Sequence, residues 1–486
     1  MTARRDWLKN AATLGAAAGT GLLLGKAQAQ ASSATAKPKA AAANATASTA
    51  SAASAAAPTP NTRTWQNWSA IHQCKPEQWL VPADEAELAA ALPRAKAPLR
   101  AVGAGHSFNP LVPTVGTLIS LDRLSGTPVV DKQNLTVRVG AGMRIGVLAR
   151  ALDAQGYALY NQPDIDVQTL AGALSTATHG TGQTLPALHA EVQALRLVSP
   201  DGRVHECSRA KNPDLFDAAR VSLGALGVIT EYTLRIRPRY MLRRHVWLER
   251  TEELLARAPE LAAKHRHFEL YVLPFTGFSA GITHDEGAAA TAQPPEAADE
   301  NVLRDLRRLR DWFGRWPALR RWAAARLINP AQTEAAFDWS WRLLSTSRPT
   351  RFNESEYHLP REAGIAGLRE VLATLEKRNE VFFPMEFRFI RADHAWLSPF
   401  YERDTCSVAA HALQGEDYAY LISELGPVFR KHGGRPHWGK LHDLKQAELQ
   451  ALYPRFADFQ TLRRELDPQG RMLNTHLQQI FGANHG

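Results

Sequence analysis

The sequence has only three cysteines among its 486 residues, and Cys74, Cys207 and Cys406 are far apart. This spacing lacks the close pairs of a zinc or iron–sulfur site, so we predict no metal, and we predict no disulfide bridge. A broad basic field is also missing. The net charge is +9, but residues 1–60 contribute +5 of it and leave only +4 for residues 61–486. Nucleic acid is therefore not an expected partner.

The sequence also lacks a long apolar run. The most apolar stretch near the N-terminus, residues 11–25, is too short and too rich in Gly and Ala for a membrane span. It follows the basic segment Ala-Arg-Arg-Asp-Trp-Leu-Lys and precedes Ala27-Gln-Ala29, a small-x-small cleavage pattern. This order resembles a twin-arginine export signal over residues 1–29, and the resemblance implies export to the periplasm with a cofactor already inserted. A random basic N-terminus is the alternative.

Residues 30–62 contain no aromatic residue and no Val, Ile or Leu. Because 15 Ala, five Ser, four Thr and three Pro occupy residues 30–60, the segment has little to bury. We predict a disordered spacer, followed by domains at 63–240 and 241–486.

The remaining sequence predicts a mixed α+β protein. Short runs with a two-residue period indicate strands, and Ile145 to Gln155 has helical spacing before Gly156. The predicted strands are 99–102, 118–121, 135–139, 192–198, 228–236, 268–273, 351–357 and 381–390. Residues 285–300 are expected to be a surface insertion.

Residues 301–328 predict two helices, and eight arginines lie between positions 304 and 326. The arginines are expected to form a solvated basic face. Contact with an acidic partner or with a membrane surface is the alternative.

Two Gly-rich turns stand out, at residues 100–107 and 175–182. Small residues let backbone amides approach an anion closely, so each turn could hold a phosphate. Neither turn is a dinucleotide fingerprint, because Phe108 stands where the third glycine would be. On this pattern alone, His106 could equally be an ordinary turn residue.

Residues 71–240 resemble the FAD-binding (PCMH-type) domain of the vanillyl-alcohol-oxidase-like flavoproteins, in which two subdomains hold the cofactor. The motifs that carry the resemblance are Val-Gly-Ala-Gly-His-Ser107, Ile-Ser-Leu-Asp122, Val-Gly-Ala-Gly142, Gln-Gly156, Asp164-Ile-Asp-Val-Gln-Thr-Leu-Ala-Gly172, Thr-His-Gly-Thr-Gly182 and Gly224-Ala-Leu-Gly-Val-Ile-Thr230. Residues 241–486 resemble the substrate domain of the sugar-lactone oxidases (D-arabinono-1,4-lactone and L-gulonolactone oxidases), an α+β unit with an antiparallel sheet. That second resemblance rests on Met385-Glu-Phe-Arg-Phe389, Trp396-Leu-Ser-Pro399, Arg435-Pro-His-Trp-Gly-Lys440 and Asp467-Pro-Gln-Gly-Arg-Met-Leu-Asn474, a C-terminal segment expected to return to the flavin.

The resemblance implies FAD as cofactor, joined covalently through His106 to the flavin 8α carbon. It implies cofactor contacts from Ala101, Val102, Gly103, Ala104, Gly105, His106, Ser107, Asp164, Thr169, Gly172, Ser175, Thr176, Ala177, Thr178, His179, Val228 and Ile229.

Glu386 and Arg388 lie two residues apart on a predicted strand, so their side chains share one face. From the pattern alone they could be a solvated ion pair. The resemblance makes them catalytic instead: Arg388 polarises the substrate oxygen, Glu386 accepts substrate hydrogen bonds, and Lys440 accepts a proton. His437 and His411 are weaker candidates. Leu413 replaces a polar residue of the alditol oxidases, which argues against a linear polyol.

The implied activity is oxidation of a CH–OH group of a sugar lactone, with hydride transfer to flavin N5 and oxygen or another acceptor. Pro163 departs from the usual glycine of the oxidases, and a bulkier, rigid residue there favours a dehydrogenase. An alditol or another hydroxyl compound is an alternative substrate. A flavin-bearing electron carrier without substrate chemistry is the alternative from a different class.

Overall fold

The structure is a computed structural model that describes residues 63–288, 292, 299–331, 333–345 and 349–482. The predicted export signal at 1–29 and the spacer at 30–62 lie outside the described residues, as does much of the predicted insertion at 285–300.

The first part of the chain is built from short strands arranged in several small sheets. They are β1 (Trp65–Gln66), β2 (Gln73–Cys74), β3 (Gln78–Leu80), β4 (Leu99–Val102), β5 (Thr117–Ser120), β6 (Val129–Asp131), β7 (Thr136–Gly140), β8 (Tyr157–Ala158), β9 (Gly182–Pro186), β10 (Val192–Val198), β11 (Val204–Ser208), β12 (Val228–Arg235) and β13 (Arg237–Pro238). Strands β3, β5 and β4 form a parallel sheet, and β11-β10-β12-β7-β6 form an antiparallel sheet.

The second part forms one large sheet. Its strands are β14 (Met241–Arg250), β15 (His267–Leu273), β16 (Phe278–Glu286), β17 (Thr333–Trp339), β18 (Phe352–Pro360), β19 (Met385–Arg391), β20 (Thr405–Leu413) and β21 (Arg435–Pro436). Their order is β17-β14-β16-β15-β19-β20-β18-β21, with antiparallel neighbours. Strand β9 joins this sheet by pairing in parallel with β19, and so brings the end of the second Gly-rich turn to the centre of the sheet.

Helices cover these sheets. They are α1 (Glu85–Ala91), α2 (Ile145–Asp153), α3 (Leu170–Ser175), α4 (Pro213–Ala219), α5 (Thr251–Lys264), α6 (Asp299–Phe313), α7 (Pro317–Leu327), α8 (Ser340–Leu344), α9 (Gly364–Leu375), α10 (Tyr420–Ser423), α11 (Leu425–Lys431), α12 (Gln446–Leu452), α13 (Phe456–Leu466) and α14 (Thr475–Phe481), with single 3-10 turns at Leu92–Arg94, Leu188–Glu191 and Arg361–Ala363. Helix α2 shows why the periodicity was informative: Ile145, Leu148 and Leu152 recur on one face and are fully buried.

The C-terminal segment crosses back to the first part. The Asn474 amide donates to the carbonyl oxygens of Pro110 and Pro113, at 2.9 Å each. The Arg471 guanidinium donates to three more carbonyl oxygens of the first part, those of Leu92, Ala95 and Pro200. A continuous apolar core joins both parts of the chain. Within the described residues, no helix combines the length and apolar character that a bilayer crossing needs.

Candidate active site

A cavity enclosing about 870 Å³ of empty space, its open mouth included, lies between three loops of the first part. It is lined by the first Gly-rich turn, by the start and end of α3 and by the loop before β12. The predicted cofactor residues that line it are Ala101, Val102, Gly103, Ala104, Gly105, His106, Ser107, Thr169, Gly172, Ser175, Thr176, Val228 and Ile229.

Four predicted cofactor residues lie outside the walls of this cavity. Ala177 and Thr178 are buried behind it, and His179 faces the large sheet. Asp164 lines a smaller neighbouring cavity and contacts Arg388. Asp164 and His179 therefore contact polar side chains of the large sheet instead of lining the cavity.

The first Gly-rich turn approaches its neighbours too closely for larger residues. A Cβ atom at Gly103 would overlap the Thr169 hydroxyl, which caps α3 by accepting from the Gly172 amide. Gly105 has a φ of +70°, a conformation that favours glycine. Behind the turn, the buried Arg100 guanidinium donates to the carbonyl oxygens of Leu111 at 2.7 Å and Leu223 at 2.6 Å. The loops are therefore tied together around the cavity.

His106 lies at the mouth of the cavity with its ring stacked on Trp68, at 5.1 Å between ring centroids. Burial lowers the pKa of His106 to about 4, and the nearby charges of Lys440, Arg144 and Arg351 act in the same direction. The imidazole is therefore neutral at pH 7, and a ring nitrogen keeps the lone pair that a nucleophile requires.

One face of the large sheet carries a row of buried polar side chains. Alternate residues of β15, β18, β19 and β20 point to this face because side chains alternate along a strand. The row consists of Glu269, Tyr271, Glu354, Glu356, Glu386, Arg388, Ser407 and His411. Its members are neighbours across the strands of the sheet. In the sheet register, Arg388 lies opposite Glu269 and Ser407, and Glu386 lies opposite Tyr271.

Arg388 is the centre of this polar row. Its guanidinium donates to Glu386 at 2.6 Å, to Glu269 at 2.8 Å and to the Tyr271 hydroxyl at 3.2 Å, and it also contacts Asp164. Burial alone would lower the pKa of Arg388, but the surrounding acidic groups outweigh that effect and raise it. Arg388 therefore stays charged. Because Glu386 and Arg388 are 5% and 6% exposed, they are not a solvated surface pair.

The carboxyl groups of three residues, Glu269, Glu386 and Asp164, contact the single Arg388 guanidinium. Acidic groups therefore outnumber the cation in this cluster. Burial raises the pKa of Glu269 to about 7, although Arg388 acts in the opposite direction. Tyr271 is held neutral, since burial and then the charges of Glu386 and Glu269 raise its pKa well above the ordinary value. Glu269 can therefore exchange a proton near neutral pH.

Lys440 lies at the other end of the row. Its ammonium contacts Glu354, lies 3.8 Å from Glu356 Oε2 and sits 5.3 Å from the centre of the Phe108 ring. Burial favours the neutral form of Glu354, but Lys440 and then His411 outweigh it and lower the pKa of Glu354. Both glutamates therefore provide the charge that holds the ammonium in place.

The two histidines of second rank differ in their surroundings. His411 Nε2 lies 3.6 Å from Glu354 and 3.8 Å from Glu386, between the two halves of the polar row. His437 is buried and accepts a hydrogen bond from the Gly439 amide, at 3.0 Å, and burial lowers its pKa to about 3. His411 faces the site, whereas His437 shapes the turn that presents Lys440.

Two buried groups of side chains bring possible metal-binding atoms within 4.8 Å of one another: His179–Glu356–His437 and Glu354–Glu386–His411. The absence of a metal therefore stays a prediction.

Three contacts connect the turn of Lys440 and the polar row to chain segments next to the cavity. The Phe108 amide donates to the Gly439 carbonyl at 2.7 Å, which seats the first Gly-rich turn against the turn of Lys440. His179 pairs with Glu356 at 2.9 Å, and Asp164 contacts Arg388. Charged groups of the sheet thus face the loops that line the cavity.

Comparison with known families settles the classification. A family model described as D-arabinono-1,4-lactone oxidase matches residues 232–480, and one described as an FAD binding domain matches residues 76–208. The chain belongs to the D-arabinono-1,4-lactone oxidase family. This lactone-oxidase-family protein therefore has a PCMH-type FAD-binding domain and is an enzyme acting on CH–OH donors.

Curated relatives extend over nearly the whole described chain. The L-gulono-1,4-lactone dehydrogenase of Mycobacterium tuberculosis is 34% identical, over 86% of this chain and 99% of its own. The L-gulonolactone oxidase of Mus musculus is 31% identical over 86% and 98%. The alditol oxidase of a Streptomyces species is 30% identical over 85% and 98%. Among solved structures, cholesterol oxidase from B. sterolicum shares the fold, with a TM-score of 0.69, 16% identity and coverage of 88% of this chain and 100% of its own.

The residues of this lactone-oxidase-family protein fit FAD. The cavity runs between loops whose glycines permit close backbone approach, and Ser107, Ser175 and Thr176 line it with hydroxyl groups. The site also contains polar residues that the sequence reasoning missed: Glu269, Tyr271, Glu354, Glu356 and Ser407. The strand alternation that singles out Glu386 and Arg388 also applies to the glutamates. Glu269 and Tyr271, and likewise Glu354 and Glu356, lie two residues apart on predicted strands.

Proposed function

We propose that the protein oxidises a CH–OH group of a sugar lactone with FAD. The observation that carries the proposal is the position of Arg388 and Lys440. Arg388 lies at the centre of the buried polar row and Lys440 at one end of it, close to the loops of the cavity that fits FAD. Bound FAD would accept a hydride from the carbinol carbon of the substrate.

The protein's own residues would supply the remaining chemistry. The Arg388 guanidinium stabilises negative charge on the substrate oxygen as its proton leaves. Glu386, already held by Arg388 at 2.6 Å, orients substrate hydroxyl groups by accepting their hydrogen bonds. Glu354, which contacts Lys440, would receive the hydroxyl proton, and the Lys440 ammonium would stabilise the negative charge left on the substrate oxygen.

A lactone is favoured over an alditol by the residue at the end of β20. Leu413 replaces the polar residue expected of an alditol oxidase, so an extended polyol would lose a hydrogen-bond partner there. The relatives named as lactone enzymes also share more identity with this chain, 34% and 31% against 30% for the alditol oxidase. The difference is small, so a substrate panel is the required test.

The test is anaerobic mixing of the flavin-loaded protein with a panel of aldono-1,4-lactones and alditols. Loss of the oxidised flavin absorbance with a lactone, faster than with any alditol, is expected. Faster loss with an alditol supports the alternative substrate. If no compound bleaches a flavin that dithionite reduces fully, the electron-carrier alternative replaces the proposal.

We further propose that His106 attaches covalently to the flavin 8α carbon: a C–N bond would replace one 8α C–H bond, and the two electrons left on the flavin would pass to the enzyme's electron acceptor. The neutral imidazole at the cavity mouth supports this, because only an unprotonated ring nitrogen can form the bond. Acid-precipitated wild-type protein should stay yellow, whereas precipitated His106→Ala protein should release its flavin. His72→Ala, which changes a partly buried histidine nearby, is the control and should keep the colour. Release of free flavin by the wild type would contradict the covalent link.

The electron acceptor is proposed to be something other than oxygen. Pro163 is buried directly before Asp164, and its carbonyl accepts a hydrogen bond from the Ser345 hydroxyl at 2.6 Å. A rigid ring in this position would hinder oxygen, so Pro163→Gly should raise turnover with oxygen about tenfold and leave turnover with an artificial dye unchanged. Equal turnover of the wild type with oxygen and dye would contradict this.

We also propose that the protein is exported through its N-terminal signal. Periplasmic activity that disappears in an Arg4→Lys/Arg5→Lys variant would support this proposal.

A further inference from the structure

Helices α6 and α7 present large apolar side chains to solvent. Trp312, Trp316 and Trp322 are 68%, 59% and 53% exposed, and Leu319 is 40% exposed. Exposed tryptophans are costly to leave in water, and a contiguous group of them marks an interaction surface. We call these four residues, with the exposed Arg307, Arg315 and Arg326 of the same helix pair, the tryptophan–arginine face.

The helices that carry this face are firmly attached to the rest of the protein. The buried Arg320 guanidinium donates to the Val381 carbonyl at 2.8 Å and lies over the Phe275 ring. Arg310 pairs with Glu416 at 2.8 Å. Because the inner side of α7 is buried through Ala323 and Ala324, its outer Leu319 and Trp322 cannot also turn inward. The outer apolar residues therefore belong to a second, external contact.

The positive charge of the protein is concentrated on the same two helices. Residues 301–328 contain eight Arg and two Asp but neither Lys nor Glu, a net charge of +6. Since residues 61–486 carry +4 in total, the rest of that region is slightly negative, at −2. Among the residues the structure describes, Arg307, Arg315 and Arg326 have no carboxylate within 4 Å, and Arg326 lies over the Trp322 ring at 3.8 Å.

We propose that the tryptophan–arginine face docks on the surface of an anionic lipid bilayer. Indole rings prefer the boundary between headgroups and acyl chains, where the ring is apolar and its N–H meets water. Arginines beside them bind lipid phosphates, and each basic residue near an anionic surface adds to the attraction. The protein would then lie on a membrane without crossing it. Trp and Arg are also enriched at protein–protein interfaces, so an acidic protein is the competing partner, and failure to bind anionic vesicles would favour it.

The test is co-sedimentation of the flavin-loaded full chain with vesicles of phosphatidylcholine alone or with 30% phosphatidylglycerol. We expect binding to the anionic vesicles that weakens in high salt. Neutralising the three arginines, in Arg307→Gln/Arg315→Gln/Arg326→Gln, should lower the partition coefficient about a hundredfold, because each contributes about a factor of five. Trp312→Ser/Trp316→Ser/Trp322→Ser should lower it at least tenfold.

The matched control is Arg94→Gln/Arg123→Gln/Arg209→Gln, which removes the same charge from exposed arginines elsewhere. It should keep more than a third of wild-type binding. The basic N-terminal residues are common to all samples, so differences report the face itself. Unchanged flavin content and lactone oxidation show that each variant is folded. The proposal is overturned if the wild type does not bind anionic vesicles, if both face variants bind like the wild type, or if the control loses as much binding.

Discussion

Arg388→Met should separate the structural role of this arginine from its chemical role. The substitution keeps a long, unbranched side chain but removes the guanidinium that pairs with Glu269, Glu386 and Asp164. All four groups lie on or beside the polar row, and Glu386 is 5% exposed. Leaving buried carboxylates without their counter-ion costs about 3–5 kcal/mol of unfolding free energy.

The stability loss should depend on pH in a known direction. Glu269 already has a folded pKa raised to about 7, above its unfolded value, so its favourable contribution exists at low pH and is lost as the pH rises through 7. Removing Arg388 raises the pKa of Glu269 further, because the charge that opposed the effect of burial is lost. The variant should therefore lose about 3–5 kcal/mol at pH 8 and clearly less at pH 5, where Glu269 is protonated and no longer needs a counter-ion.

The chemical effect is measured on protein that is still folded. Single-turnover flavin reduction by a lactone should slow by about 10²–10³-fold at pH 6, since one charged donor to the developing oxyanion is lost. The control is Arg391→Met, which changes an exposed arginine of the same strand, β19, and should alter neither quantity. Denaturant unfolding at both pH values and anaerobic stopped-flow spectroscopy give the two readouts. Wild-type reduction rates in a folded Arg388→Met protein, or a stability loss independent of pH, would refute the reasoning.

Two further substitutions test the two halves of the site. Gly103→Ala should reduce FAD occupancy at least tenfold, because the new Cβ overlaps the Thr169 hydroxyl. The control is Gly287→Ala, where the nearest described atom to a Cβ is a Phe337 ring carbon at 3.6 Å. Equal flavin absorbance in the two variants would contradict this prediction. Lys440→Met should slow flavin reduction about a hundredfold with flavin content unchanged, as expected for loss of the cation beside the proton-accepting Glu354. An unchanged rate would exclude Lys440 from the chemistry.

The sequence was sufficient for much of the architecture, because periodicity and glycine placement are local signals. The predicted strand at 192–198 matches β10, and Pro317 begins α7 as expected. The strand predicted at 381–390 starts only at Met385, since Pro384 directly before it cannot donate to a sheet ladder. The strand predicted at 351–357 extends to Pro360 because long-range pairing with β20 continues it.

The polar row was harder to predict because its members meet only through sheet pairing. Glu269 and Arg388 are 119 residues apart in sequence and form an ion pair of 2.8 Å across neighbouring strands. No local pattern reports that β15 lies beside β19. The same holds for His179, whose place beside Glu356 depends on the parallel pairing of β9 with β19. Strand alternation indicates which residues share a face, and the order of strands decides which faces meet.

The central claim is that this site breaks a carbinol C–H bond of a sugar lactone. It is tested most directly by anaerobic stopped-flow reduction of the flavin with an aldono-1,4-lactone carrying hydrogen or deuterium at the carbinol carbon. We predict that the lactone bleaches the flavin completely. The rate of bleaching should fall severalfold with deuterium, and by a further factor of at least about a hundred in Arg388→Met. Bleaching that is the same with either isotope and in Arg388→Met, or no bleaching by any lactone, would contradict it.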